Sequence, residues 1–315
     1  MLKLFIAILF SATCLAEGGS IIKKTEYGTL YKFPANPAAG YNFDYLLYYP
    51  AKLKLSRAVH ILVETNNTGR LSDSIAVHEI AAINQASESG VGNYTAEKLG
   101  LPFLVPIFPR PAKEPLLYTH ALDRDSFLQK NRLDLQLIAM INHARLQLAD
   151  KGYVVKQKIF ITGFSASGTF ANRFSMLHPE MVQAVAAGGI NAMVILPKDK
   201  LSGKKLQYPL GTADIKNVTG KKVDLKEYIE VPKMLYMGEK DDNDAAAFDD
   251  AYSIQERELI YSLMGKGLTE RWQFMRKIYE EEGVAGEFIT YTGIGHGTDL
   301  KINDALAEFF KKHWD

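Results

Sequence analysis

An α/β fold, with a mainly parallel central sheet and helices on both faces, is what the sequence predicts, and three observations carry it. From about residue 58 onward, apolar strand-like runs alternate with stretches of helical periodicity. One of those runs, Lys158 to Thr162, leads through Gly163-Phe164-Ser165-Ala166-Ser167-Gly168 straight into a helix-compatible segment ending at Pro179. The chain has 315 residues, 47% of them hydrophobic, and no Ser/Thr/Pro-rich linker divides it, so one catalytic-size core over residues 17–315 is expected.

The opening residues read differently. Lys3 precedes an apolar run to Phe10 and then small residues up to Ala16, the pattern of a cleavable secretory signal peptide over 1–16. The run is about half the length that a bilayer-spanning helix needs, which predicts no integral membrane segment after cleavage. The expected location is outside the cell or in the periplasm. Lipidation at Cys14, the one cysteine, is the alternative. Loss of the segment removes one of 37 basic residues, Lys3, leaving basic and acidic totals equal at 36. A neutral chain gives no reason to expect a nucleic-acid partner.

Gly28 to Pro34 and Phe43 to Pro50 predict an antiparallel pair at one edge of the sheet, separated by a turn-prone stretch from Asn36 to Gly40. Ala58 to Val63 reads as a buried strand, Ser74 to Ser89 as a helix, and Leu101 to Phe108 as a strand between prolines. Leu133, Leu137, Ile141, Ala144 and Leu148 mark one face of a helix. Strands follow at Lys158 to Thr162, Ala184 to Ala187, Lys233 to Met237 and Glu287 to Tyr291, with a final helix from about Asp304. Residues 191–230 break the rhythm, being Lys-rich and turn-rich; they read as an insertion that either caps the substrate cleft or makes a solvated excursion.

The strand–turn–helix around Ser165 is the form of a nucleophile elbow, where small neighbours let strand and helix approach closely. Gly163 and Ser167 are small enough. The helix start also offers the Ala166 N–H to a developing oxyanion. Serine needs a base, and His296, between Gly295 and Gly297 just after the last strand, supplies one. The other six histidines fit helix, strand, loop or terminal roles. An acid must orient the base. Asp241, three residues after the strand-ending Gly238, is the first choice and Asp244 the second, with Asp242 and Glu239 as loop charges. The turn at Asn66-Asn67-Thr68-Gly69 follows the 58–63 strand, so Asn67 is expected to give a second oxyanion N–H and Asn66 a side-chain amide for substrate. Tyr118, with His120 and Phe127, is expected to line the pocket. Neither metal motifs nor phosphate-binding glycine loops occur, and no cofactor is expected.

At Gly163 to Gly168, Gly238 to Asp244 and Gly295-His296 the chain resembles the α/β-hydrolase superfamily, within it the secreted esterases related to polyhydroxybutyrate depolymerases and feruloyl esterases. The order of elements is similar over most of the chain. The resemblance implies acyl transfer to Ser165, with His296 moving the proton and Asp241 orienting His296. Two departures qualify it: Ser167 replaces the usual elbow glycine, and the disulfides that polymer-degrading members generally carry and the separate substrate-binding domain they often carry are not evident in this sequence. A small or soluble ester is therefore the expected substrate. A peptidase on the same fold and a catalytically silent extracellular binding protein are the competing readings.

Overall fold

The computed structural model describes residues 18–66, 69–88 and 90–315. The expected leader with Cys14, and Asn67, lie outside these residues.

The strands are β1 (Ser20–Lys24), β2 (Gly28–Phe33), β3 (Tyr45–Pro50), β4 (Leu62–Val63), β5 (Phe103–Pro106), β6 (Ile159–Phe164), β7 (Val182–Gly188), β8 (Lys200–Leu201), β9 (Lys204–Lys205), β10 (Lys233–Gly238) and β11 (Gly286–Tyr291). The helices are α1 (Ile75–Ser87), α2 (Val91–Leu99), α3 (Arg124–Leu128), α4 (Leu133–Asp150), α5 (Ala166–Leu177), α6 (Ile215–Thr219), α7 (Leu225–Glu230), α8 (Ile254–Leu263), α9 (Leu268–Glu281) and α10 (Leu300–Lys312). Nine strands form one sheet in the order β1-β2-β3-β5-β4-β6-β7-β10-β11. The pairings β1–β2, β2–β3 and β3–β5 are antiparallel, and in the sheet order every pairing from β5–β4 to β10–β11 is parallel.

Alternation along the central strands divides the interior into two cores. Ile159 and Ile161 of β6, with Leu235 and Met237 of β10, pack on the face covered by α4, α5 and α9. Phe160, Met234 and Tyr236 from the same strands pack on the opposite face with Ala82 of α1, Ala96 of α2 and Phe310 of α10. Period-two side-chain geometry produces this split. It also explains why these strands read as continuous apolar runs, since both faces are buried.

Local differences from the sequence reading have physical causes. The edge strand is β1, outside the expected pair; its Ile21 and Ile22 are exposed and its register shifts between Ile21 and Lys23, so no alternation marked it. Of the run 58–63 only Leu62–Val63 joins the ladder, because the Val59 N–H bonds Val154 and the His60 ring bonds the carbonyls of Lys158 and Trp314. The last helix begins at Leu300, with Asp299 accepting from the Ile302 N–H at 2.8 Å. Residues 191–230 are tied into the core through Leu206, Tyr208, Leu210 and Tyr228, whose burial comes from turns and short helices and therefore has no period. Among the described residues no helix is long and apolar enough to cross a membrane.

Candidate active site

The carboxyl ends of the parallel strands β6, β10 and β11 deliver Ser165, Asp241 and His296 to one edge of the sheet. Ser165 stands between β6 and α5 with φ +59° and ψ −125°, a conformation that a side chain disfavours by about 1–3 kcal/mol. Its N–H bonds the Gly188 carbonyl at 2.8 Å, and its own carbonyl accepts from Thr169 at 2.9 Å, which fixes the turn on both sides. Close approach of strand and helix requires two glycines. A Cβ on Gly163 would lie 2.3 Å from the Ser167 carbonyl carbon, and one on Gly168 would lie 2.6 Å from the Gly188 oxygen. Gly168 thus makes the tight contact one position after Ser167.

Ser167 adds something that glycine cannot. Its Oγ accepts from the Phe164 N–H at 3.0 Å, contacts the Phe164 carbonyl at 2.9 Å and lies 3.2 Å from Oε1 of Glu64. Glu64 is buried directly after β4, and its Oε2 accepts from the Gly92 N–H at 3.0 Å. Burial raises the Glu64 carboxyl to about 7, against the opposing hydrogen bonds from Gln85, Gly92 and Ser167. The single hydroxyl proton of Ser167 reaches either the Phe164 carbonyl or Oε1 of Glu64. The sequence reading missed this brace, although a carboxylate closing an apolar strand was visible.

His296 is held from one side. Its Nδ1 lies 3.0 and 3.1 Å from the two oxygens of Asp241, which also accepts the Asn243 backbone N–H at 3.0 Å. The carboxylate makes Nδ1 the protonated nitrogen and leaves the lone pair on Nε2. That lone pair faces Nδ2 of Asn243 at 3.1 Å, and among the described residues no hydrogen bond joins it to Ser165. The imidazole packs on Phe164, the residue before Ser165, with ring centroids 4.8 Å apart. Asp244 is occupied elsewhere: it accepts the Ala246 N–H and pairs with buried Arg271 at 2.6 Å. Glu239 accepts from the Gly293 N–H.

Ala166 opens α5, so its N–H has no acceptor within the helix. Asn66 lies on the expected loop, but its side chain is spent on structure: Oδ1 accepts the Phe108 N–H at 2.9 Å and Nδ2 donates to the Phe108 carbonyl at 2.8 Å. Its amide is therefore not free for substrate, a correction to the expectation. His120 and Phe127 are likewise buried in packing, His120 held neutral by burial that drops it to about 3.

Two cavities flank the elbow. One, of about 160 Å³, is lined by Ser165, Ala166, Tyr118, Asn243, Arg110 and Arg173 among others. The other, of about 640 Å³, is lined by His296, Gly297, Thr298, Glu64 and residues of α1. Of the residues 191–230, only Asn191 lines either one. Asn243, Arg110 and Arg173 carry no sequence signature, since each is defined only by what it meets in space.

No family model matches the sequence, and no curated protein matches it. Among solved structures the chain is similar to poly(aspartic acid) hydrolase-1 from Sphingomonas sp. KT-1, at 18% identity over 90% of this chain and 97% of that one, with a TM-score of 0.57. An S-formylglutathione hydrolase from Agrobacterium tumefaciens is similar at 14% identity, over 93% and 98%, with a TM-score of 0.53. The poly(3-hydroxybutyrate) depolymerase LpqC from Bordetella parapertussis is similar at 16% identity, over 89% and 86%, with a TM-score of 0.51. The chain has the α/β-hydrolase fold, and these likenesses speak to the fold alone.

Proposed function

With the α/β-hydrolase fold as the frame, we propose that the protein is a serine hydrolase that cleaves carboxylic esters. One observation carries the reading: a serine strained at +59° on a strand-to-helix elbow, with a carboxylate-held histidine packed against the residue before it. Strain at one polar side chain, kept by a fully determined turn, is characteristic of a site selected for reactivity.

In the reaction His296 turns its Nε2 from the Asn243 amide to the Ser165 hydroxyl and takes its proton as Oγ attacks the ester carbon. Asp241 keeps Nδ1 protonated and stabilises the imidazolium. The Ala166 N–H donates to the oxyanion. Nε2 then returns the proton to the departing alcohol, and water repeats the sequence on the acyl-enzyme. Export through the 1–16 leader belongs to the same proposal, and N-terminal sequencing of the purified protein tests it, a start near Glu17 being the expected result.

Labelling with a fluorophosphonate, compared with Ser165→Ala and mapped by mass spectrometry, tests the reading. Stoichiometric labelling at Ser165 that vanishes in the variant supports it. A folded protein that takes no label overturns it in favour of a silent binding protein.

A further inference from the structure

The smaller cavity runs along one face of α5. Ser165, Thr169 and Arg173 are spaced i, i+4 and i+8, and all three line it. Helical side chains lean toward the N-terminus, which carries the Arg173 side chain back along this face toward Ser165.

Arg173 is 5% exposed, and among the described residues no carboxylate lies within ion-pairing distance of it. Its guanidinium donates to the Ala121 carbonyl at 3.0 Å and to the Tyr252 hydroxyl at 3.3 Å, both neutral. The Arg173 charge acts on buried Asp123 only from beyond ion-pairing distance, and a buried cation without a carboxylate in direct contact is costly and normally kept where it meets a counter-ion. The two carboxylates on the cavity are engaged elsewhere. Asp250 pairs with Arg110 at 2.6 Å, while Asp123 caps α3, taking the Ser126 N–H on one oxygen and the Tyr118 N–H on the other. Arg110, 7% exposed, also lines the cavity, stacked 3.6 Å from the Tyr118 ring centre. Arg173, with neutral hydrogen-bond partners, therefore borders a space that also holds the serine.

The position of His296 says which half of the ester enters. The histidine returns a proton to the leaving alcohol, so the alcohol belongs on its side, and His296 lines the larger cavity rather than this one. What remains on Ser165 lies along α5. Resting on the serine esterase reading, we propose that the acyl group of the substrate carries its own carboxylate, bound by Arg173. The substrates are then monoesters of short dicarboxylic acids, in a cavity too small for a long acyl chain.

The test compares hydrolysis of monoethyl glutarate with that of ethyl valerate, its uncharged counterpart, by the full-length mature protein. A charge-assisted contact predicts a kcat/KM ratio of about ten to one hundred in favour of the glutarate ester. Arg173→Gln is expected to bring that ratio to near one, and Arg173→Lys to restore part of it. Free glutarate is expected to slow fluorophosphonate labelling of the wild type, whereas valeramide does not, a readout that stands if the Gln variant fails to fold. Equal ratios in wild type with no protection by glutarate overturn the proposal and leave the esterase reading intact. If Ser165 takes no label, a glutarate-induced rise in Tm that Arg173→Gln abolishes still supports the anion site. No rise overturns it together with the esterase reading.

Discussion

Asp241 reaches Nδ1 of His296 with both carboxylate oxygens, at 3.0 and 3.1 Å, while Asp244, three residues on, is turned away to Arg271. The two aspartates therefore fail in different ways. Asp241→Asn is expected to fold normally and to lower kcat by about a thousandfold or more, because the imidazole loses the acceptor that fixes its tautomer. Asp244→Asn is expected to weaken folding instead, since buried Arg271 is left without its carboxylate, at a cost of about 3 kcal/mol. Steady-state kinetics beside urea denaturation separates them, and a large kcat loss in Asp244→Asn alone would reverse the assignment.

Asn243 holds the lone pair that the mechanism needs. A hydrogen bond of this kind contributes about 1 kcal/mol, so Asn243→Ala is expected to speed labelling of Ser165 about fivefold. Its backbone N–H still supports Asp241 in the variant. A tenfold fall in labelling rate would mean that the amide assists the reaction rather than delaying it.

Strain at Ser165 predicts a trade of stability against activity. Glycine accepts the +59° conformation freely, so Ser165→Gly is expected to be about 1 kcal/mol more stable than the parent and inactive. Thermal unfolding that shows an unchanged or lowered Tm would argue that the elbow is not strained.

Glu64 gives the stability a pH dependence. Its folded value of about 7 lies above the ordinary 4.5, so the folded state binds the proton more tightly. The stabilisation is complete below about 4.5 and is lost as pH rises through about 7, on the order of 3 kcal/mol from this carboxyl. Glu64→Gln is expected to flatten that decline between pH 5 and 8. Denaturation curves at the two pH values check it, and a decline as steep in the variant as in the parent would place the titrating group elsewhere.

The parallel sheet, the elbow and the order of serine, acid and histidine were legible in the sequence because each leaves a local trace: continuous apolar runs, small residues around Ser165, glycines beside His296. Chain order alone left Asp241 and Asp244 as alternatives, since both lie in one loop after β10; that loop turns after Gly238 so that Asp241 contacts His296 and Asp244 contacts Arg271. Similarly, β1 and the packing of 191–230 were hidden because neither repeats at the period of a strand or helix.

What the sequence determined by itself is therefore the fold class and the residue types of the candidate site around Ser165, which depend on spacing along the chain. Only the tertiary structure decided that Glu64 lies beneath the elbow, that Asn243 meets His296, and that Arg110 and Arg173 border the cavity beside Ser165. Those relationships join residues far apart in sequence, and burial and charge pairing are properties of what surrounds a side chain, which no local pattern encodes.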